Sequence, residues 1–274
     1  MKLNQSNINL WYKCPYAFYQ QNILGIGFPT IPTALDFGKH MHEALVIGYT
    51  KTVQEAINHW DLYKGEADEK RTPAMGKLII ERYFQLHPVS ELEIIALEKP
   101  FEIPIGKHIY TGVWDLIAKW GRPAFLFDFE HKTTSGMGTT FFDQFTPDIQ
   151  IAGYYYAGKQ LLGKEYNGII MNGLRVAKYM DKDDSKNFGR KILNPTQFEV
   201  EGFLGQFTNV ADQIEFALAN WTEEQWKANK HYSSCWDYFT KCSYWNLCVY
   251  NHNKLTYNSD KQLWLKEQGL LKGV

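Results

Sequence analysis

Three residues in the stretch 112–132 carry the clearest chemical potential: Asp115, Glu130 and Lys132. The stretch reads Gly-Val-Trp-Asp-Leu-Ile-Ala-Lys-Trp-Gly-Arg-Pro-Ala-Phe-Leu-Phe-Asp-Phe-Glu-His-Lys, two apolar runs parted by a Gly-Arg-Pro turn. That is the pattern of a buried strand hairpin. Strand side chains alternate between faces, so Glu130 and Lys132 project from the same side of the sheet. A carboxylate and an ammonium on a mostly apolar sheet are costly unless something uses them. Asp115, from the neighbouring run, adds a second carboxylate, and the two acids can share a divalent cation beside an amine that can act on water or a phosphate oxygen. Hard cations choose oxygen ligands, and phosphodiester hydrolysis draws on such a metal to activate water and stabilise negative charge. Read on their own, the same residues also fit a structural ion pair on an edge hairpin.

Elements on either side must hold that hairpin in place. Helical spacing of apolar residues predicts a helix over residues 35–62, after a Gly/Pro-rich connector at 25–32. On that helix Gly38 and His42 are four residues apart and share a face, while His40 lies off it. A histidine on an apolar helix face is ordinarily a hydrogen-bonded core residue. Strands are expected at 93–105, 108–119 and 124–132, followed by a flexible loop at 133–140 and a helix opening near Pro147. Gln150 and Tyr154 sit one turn apart on that helix, beside a tyrosine run that equally suits a core helix. A further strand is expected at 166–176, a charged turn at 181–190 and a helix at 198–220. The phosphate-loop look-alike at Gly153, Gly158 and Lys159 has Gln160 where a Ser or Thr is needed and falls inside a helix, so it is set aside.

The four cysteines form a second group. Cys235, Cys242 and Cys248 lie within fourteen residues, embedded among aromatics. In a reducing compartment such a cluster reads as metal ligands rather than disulfides. Cys14, directly before Pro15 and close after a helix capped by Ser6 or Asn7, lies at a helix junction. A fourth ligand is supplied either by Cys14 or by His252, the latter giving a Cys₃His zinc site.

Taken together, Gly38-x-x-x-His42, Gly112-x-x-Asp115, Glu130-x-Lys132 and Gln150-x-x-x-Tyr154 resemble, in order and spacing, the PD-(D/E)XK nuclease superfamily and its RecB-like branch. The resemblance implies an α/β fold with an αβββαβ core, a central mixed sheet flanked by helices. It implies that His42, Asp115, Glu130 and the His131 backbone carbonyl hold Mg²⁺ or Mn²⁺, that Lys132 acts on water and phosphate, and that Gln150 and Tyr154 contact DNA or support the site. One amino-terminal cysteine with three near the carboxyl end resembles the iron-sulfur staple of AddB-type and CRISPR-associated exonucleases. That implies a 4Fe-4S cluster on Cys14, Cys235, Cys242 and Cys248, with zinc on Cys235, Cys242, Cys248 and His252 as the alternative. The spacing between Cys235 and Cys242 is wider than the family's usual one. A single nuclease domain, residues 1–274, is expected, its segments 1–34 and 221–274 brought together by the cysteines.

Composition bounds this reading. At 274 residues, 45% hydrophobic and 16% aromatic, the chain can bury a sizeable core. Its net charge of −1 is below what nucleic-acid binders usually carry, although a metal site concentrates acids locally. No run is long and apolar enough to span a membrane and no signal-peptide core opens the chain, so an intracellular, cytoplasmic location is expected. The expected activity is metal-dependent hydrolysis of DNA, as an exonuclease, with a helicase or recombination partner separating the strands. A non-catalytic DNA-binding or assembly subunit on the same fold is the alternative.

Overall fold

The computed structural model describes residues 1–26, 32–138, 140–237, 240–250, 264 and 268. In chain order its elements include β1 (Lys2–Leu3), α1 (Gln5–Lys13), α2 (Pro15–Phe18), α3 (Thr33–Thr50), α4 (Val53–His59), α5 (Pro73–Leu86), β2 (Leu92–Ile105), β3 (His108–Trp120) and β4 (Phe125–Thr134). There follow α6 (Ile149–Leu161), β5 (Tyr166–Arg175), β6 (Phe188–Leu193), α7 (Gln197–Asn220), α8 (Glu223–Ala228), β7 (Trp236–Asp237), β8 (Thr240–Lys241) and α9 (Trp245–Tyr250). The order helix, three strands, helix, strand is the expected αβββαβ core. His252, most of the segment 251–274 and most of the connector 25–32 lie outside the described residues.

Two compact units divide the chain. The larger comprises residues 32–101 and 113–203. Within it β3, β4, β5 and β6 lie side by side, antiparallel, parallel and antiparallel in turn, with β2 against β3. Period-two alternation sorts β4 into two faces. Phe127 and Phe129 turn toward a core built with Phe37, Met41, Trp60 and Ile80 of α3, α5 and the turn after α4. Asp128, Glu130 and Lys132 point to the other side.

The ladder between β3 and β4 runs from Trp120↔Phe125 to Leu116↔Phe129 and no further. Beyond it the backbone N–H of His131 leaves the backbone ladder and donates instead to the side chain of Asp115, at Oδ2, 2.8 Å away. The strands therefore part at the point where the charged residues begin. An unpaired buried N–H would be costly, so the carboxylate both satisfies it and is fixed by it.

Three local expectations change. Residues 35–62 form two helices, because Lys51 leaves helical geometry and the Thr52 side chain caps α4 by accepting from the Glu55 N–H. The charged turn at 181–190 gives way to β6 from Phe188, an edge strand whose pairing with β5 overrides its weak local signal. Asn4, not Ser6 or Asn7, caps α1: its side chain accepts from the Asn7 N–H at 2.9 Å, and the Asn7 side chain accepts from the Asn4 N–H at 3.1 Å.

The smaller unit comprises residues 1–31, 102–112 and 204–274. Here β1 pairs parallel with the first residues of β3. Trp11 stacks on Trp221 at 6.0 Å, meets Trp226 edge-on, and donates through its indole N–H to Gln213 at 2.9 Å. Among the described residues no helix is long and apolar enough to cross a membrane.

Candidate active site

The charged residues singled out in the sequence gather in the larger unit. Lys132 Nζ donates to Glu130 Oε1 at 2.5 Å and lies 3.4 Å from Gln150 Oε1. Gln150, from the first turn of α6, donates its amide to the same Glu130 oxygen at 2.8 Å. Burial raises the Glu130 pKa, Lys132 opposes the rise, and Asp115 adds to it. Burial would lower the Lys132 pKa, but the Glu130 charge and hydrogen bond lift it above its ordinary value. Each group thus favours the charged form of the other against the effect of burial.

His42 reaches the same place from α3. Its Nε2 lies 3.1 Å from the His131 carbonyl oxygen, and its Nδ1 lies 3.4 Å from Asp115 Oδ1. Burial works against the charged imidazole, but Asp115, Glu130 and Glu98 raise its pKa above the usual value. Burial would likewise raise Asp115, yet its hydrogen bond and charge pairing with His42 pull it below the ordinary carboxylate range. Both ring nitrogens face oxygen acceptors, so a positive charge belongs at this point.

Glu98 is the site residue that periodicity missed. Its carboxylate, the Asp115 carboxylate and a His42 nitrogen lie within 4.8 Å of one another, a spacing that suits one cation. Burial and the neighbouring Asp115 raise the Glu98 pKa. Glu98 carries φ 44°, the left-handed region that a side chain enters at a cost of about 1–3 kcal/mol. The one available signal was a lone acid after an apolar strand run, Ile94 to Leu97, just before Lys99 and Pro100. Glu130 falls outside that tight trio, its Oε1 being taken by Lys132 and Gln150.

Asp128, on the same face of β4 as Glu130, is drawn away. It is fully buried and accepts from the Tyr166 hydroxyl at 2.5 Å, while its second oxygen finds no hydrogen-bond partner among the described residues. Burial, partly offset by Tyr166 and reinforced by Glu130, pushes its pKa up to about 8. The folded state therefore favours the protonated carboxyl. That contribution to stability is complete below about pH 4 and is lost progressively as pH rises to about 8. Asp128→Asn is expected to remove this decline. In urea unfolding the variant should gain over the parent by an amount growing from pH 4 to pH 8 and reaching on the order of a few kcal/mol. Parallel stability curves for the two proteins would show that Asp128 stays charged.

Tyr154 is buried, pairs its hydroxyl with the Val113 backbone and meets Phe101 edge-on at 5.2 Å. It packs beneath the site, while Gln150 enters it. The His131 side chain points to the opposite face, where its Nδ1 accepts from the Asn172 amide at 2.7 Å. Burial, with further lowering by His42 and Arg190, takes its pKa to about 3. Its backbone serves the acidic side, the carbonyl facing His42 and the N–H donating to Asp115. Gly38 lies where an added Cβ would come within 3.2 Å of Thr133 Oγ1, so a small residue lets α3 approach β4. His42, Glu98, Lys132 and Thr133 open onto one cavity of 770 Å³.

A family model for the PD-(D/E)XK nuclease superfamily matches residues 2–249, nearly the whole chain. The chain belongs to this superfamily. Membership makes it a hydrolytic nuclease, a class that uses divalent metals. Among solved structures, a candidate exonuclease from Eubacterium rectale shares 14% identity, covers 92% of this chain and 88% of its own, and superposes with a TM-score of 0.54. At that identity the likeness speaks for the fold. No curated protein matches the chain in sequence. In this PD-(D/E)XK protein the signature acids and lysine stand on β3 and β4, where those strands separate.

The cysteines occupy the smaller unit. Cys14, Cys235, Cys242 and Cys248 all line a single cavity of 70 Å³ together with Lys230 and His231. Cys235 and Cys242 flank the β7–β8 hairpin, and the Cys242 N–H donates to the Cys235 carbonyl at 2.9 Å, so the wide sequence gap closes in space. Burial raises the Cys248 thiol to about 11. No three of the four thiols lie within 4.8 Å of one another.

Proposed function

We propose that this nuclease is a divalent-cation-dependent DNA exonuclease of the RecB-like branch. Asp115, Glu130, the His131 carbonyl and His42 would hold Mg²⁺ or Mn²⁺, and Glu98 joins them. The donor set fits: three carboxylates and a carbonyl oxygen are what a hard cation selects, and the upward push of Asp115, Glu130 and Glu98 on the His42 pKa marks the point as one that favours positive charge. The carrying observation is the convergence of His42, Glu98 and Asp115 beside the Glu130–Lys132 pair on one cavity.

Bound there, a hard divalent cation supplies Lewis-acid polarisation of a phosphoryl oxygen and acidifies water. The chain's own residues do the rest. Lys132, charged and pinned between Glu130 and Gln150, orients a water or donates to a phosphate oxygen as negative charge grows on it. Gln150 holds both partners in register. His42 must be neutral to act as a ligand, and Glu130 must be ionised, so activity should fall as pH drops through the raised pKa values of both. With strand separation supplied by a helicase or recombination partner, free DNA ends would be the substrate.

End-labelled and circular single- and double-stranded DNA, incubated with Mg²⁺, Mn²⁺ or EDTA, tests the reading. The expected result is degradation of linear DNA only, abolished by EDTA. Binding without cleavage in Mn²⁺ would overturn it in favour of a non-catalytic DNA-binding or assembly subunit.

For the cysteines we infer a 4Fe-4S cluster. Mononuclear zinc with its bonds of about 2.3 Å draws thiolates to about 3.8 Å from each other, whereas no three of these four lie within 4.8 Å of one another. Iron-sulfur clusters span thiolates further apart, and the common cavity supports a shared group that ties residues 1–34 to 221–274. Anaerobically isolated protein should be brown and hold about four iron atoms per chain, and Cys14→Ser should lose both and unfold at lower temperature. A colourless protein with one zinc would favour the Cys235, Cys242, Cys248 and His252 site instead.

A further inference from the structure

Two histidines and a glutamate form a second possible coordination sphere in the larger unit, apart from the acidic trio. His40 and Glu43 are three residues apart on α3 and so share a face, and His59 ends α4, which the break at Lys51 and Thr52 folds back alongside. His59 Nε2 lies 3.2 Å and His40 Nδ1 3.6 Å from the same oxygen, Glu43 Oε2. The three ligand atoms are all within 4.8 Å of one another. The imidazole rings stack at 4.1 Å, 9° from parallel.

The decisive detail is the other nitrogen of His40. Its Nε2 lies 3.2 Å from the His59 carbonyl, an acceptor, so the ring proton resides there. In the neutral ring the Nδ1 lone pair then faces a carboxylate oxygen with no hydrogen between them. Ligating histidines are oriented in this way, one nitrogen donating to a backbone carbonyl and the other left free for the metal. Trp60 and Tyr63, packed on His40 at 4.7 Å and 5.2 Å, hold the ring in place. The His59–Glu43 hydrogen bond satisfies those two side chains without a metal, but it leaves the His40 lone pair unanswered.

We propose that His40, Glu43 and His59 bind a divalent cation of the zinc class, distinct from the hard cation of the acidic site. Two imidazole nitrogens and one carboxylate oxygen suit zinc or cobalt and are a poor set for Mg²⁺. Three protein ligands leave further positions free. Glu43 and His59 line the 770 Å³ cavity shared with His42, Glu98 and Lys132, so a water or phosphate oxygen in that cavity can complete the sphere.

Zinc titration of the full chain in excess Mg²⁺, followed by calorimetry and metal analysis, tests this. One zinc per chain should bind, with Glu43→Gln and His59→Gln each weakening it by about 100-fold or more, and Asp115→Asn leaving it in place. Glu43 is half exposed, so its isosteric replacement leaves the fold intact. With Co²⁺ as the probe, the parent should show visible absorption that both variants lack, without thiolate charge-transfer bands. Unchanged zinc affinity and stoichiometry in Glu43→Gln and His59→Gln would overturn the proposal. So would loss of the zinc in Asp115→Asn alone, which would assign the ion to the acidic site.

Discussion

Replacing Lys132 by alanine is expected to lower the rate of phosphodiester cleavage by about 10³-fold, some 4 kcal/mol of transition-state stabilisation. Two effects combine. The charge that meets the developing phosphate charge is gone, and Glu130, whose side chain is 5% exposed, loses its counter-ion. Only the Gln150 amide at 2.8 Å remains on that oxygen. Burial already lifts the Glu130 pKa, with Lys132 as the chief opposing influence. Its removal lifts that pKa further and moves the acid limb of the rate–pH profile toward higher pH. Lys132→Arg should restore the position of that limb while the rate stays low, because the guanidinium replaces the charge but not the compact ammonium. A Lys132→Ala enzyme with parental rate and pH profile would remove lysine from the mechanism. Asp115→Ala, which frees the His131 N–H and the His42 ring together, should be at least as damaging to cleavage.

Phe129→Ala is expected to cost about 3–5 kcal/mol of folding stability, the usual loss for a fully buried phenylalanine. Phe129 has no exposed surface, stands opposite Leu116 on β3 and Ile170 on β5, and offers its ring to the Arg190 guanidinium at 5.5 Å. Truncation leaves a cavity directly behind Glu130 and takes one aromatic face from Arg190, which remains held by Asn172 and Tyr83. Against a total of about 5–15 kcal/mol for a natural domain, this is a large fraction. The urea midpoint should fall sharply with little change in slope. Phe129→Leu should fall far less, since most of the volume is kept. A loss under about 1 kcal/mol for the alanine variant would mean that the layer beneath the site is not close-packed.

The two predictions test different faces of one strand, and the strand shows what local sequence encodes. Alternation alone assigned Glu130 and Lys132 to one side of β4 and Phe129 to the other, because pleating leaves no choice. Helical periodicity likewise brought Gln150 to the start of α6 and set Gly38 and His42 on one face of α3.

Asp128 shares the Glu130 face of β4, and it is burial in the folded chain, only partly offset by the hydroxyl of Tyr166, that favours its neutral form. Glu98 enters the site through a positive φ that breaks the period of its strand. His42 meets the His131 carbonyl, and Asp115 the His131 N–H, because the β3–β4 ladder stops at Leu116. His40, Glu43 and His59 meet because two helices replace the one that periodicity predicts. The sequence by itself determined which residues share a face, since that follows from backbone geometry over a few residues. Which faces meet, where a ladder ends and which acid keeps its proton were decided by the tertiary structure, because desolvation and pairing depend on groups far apart in the chain.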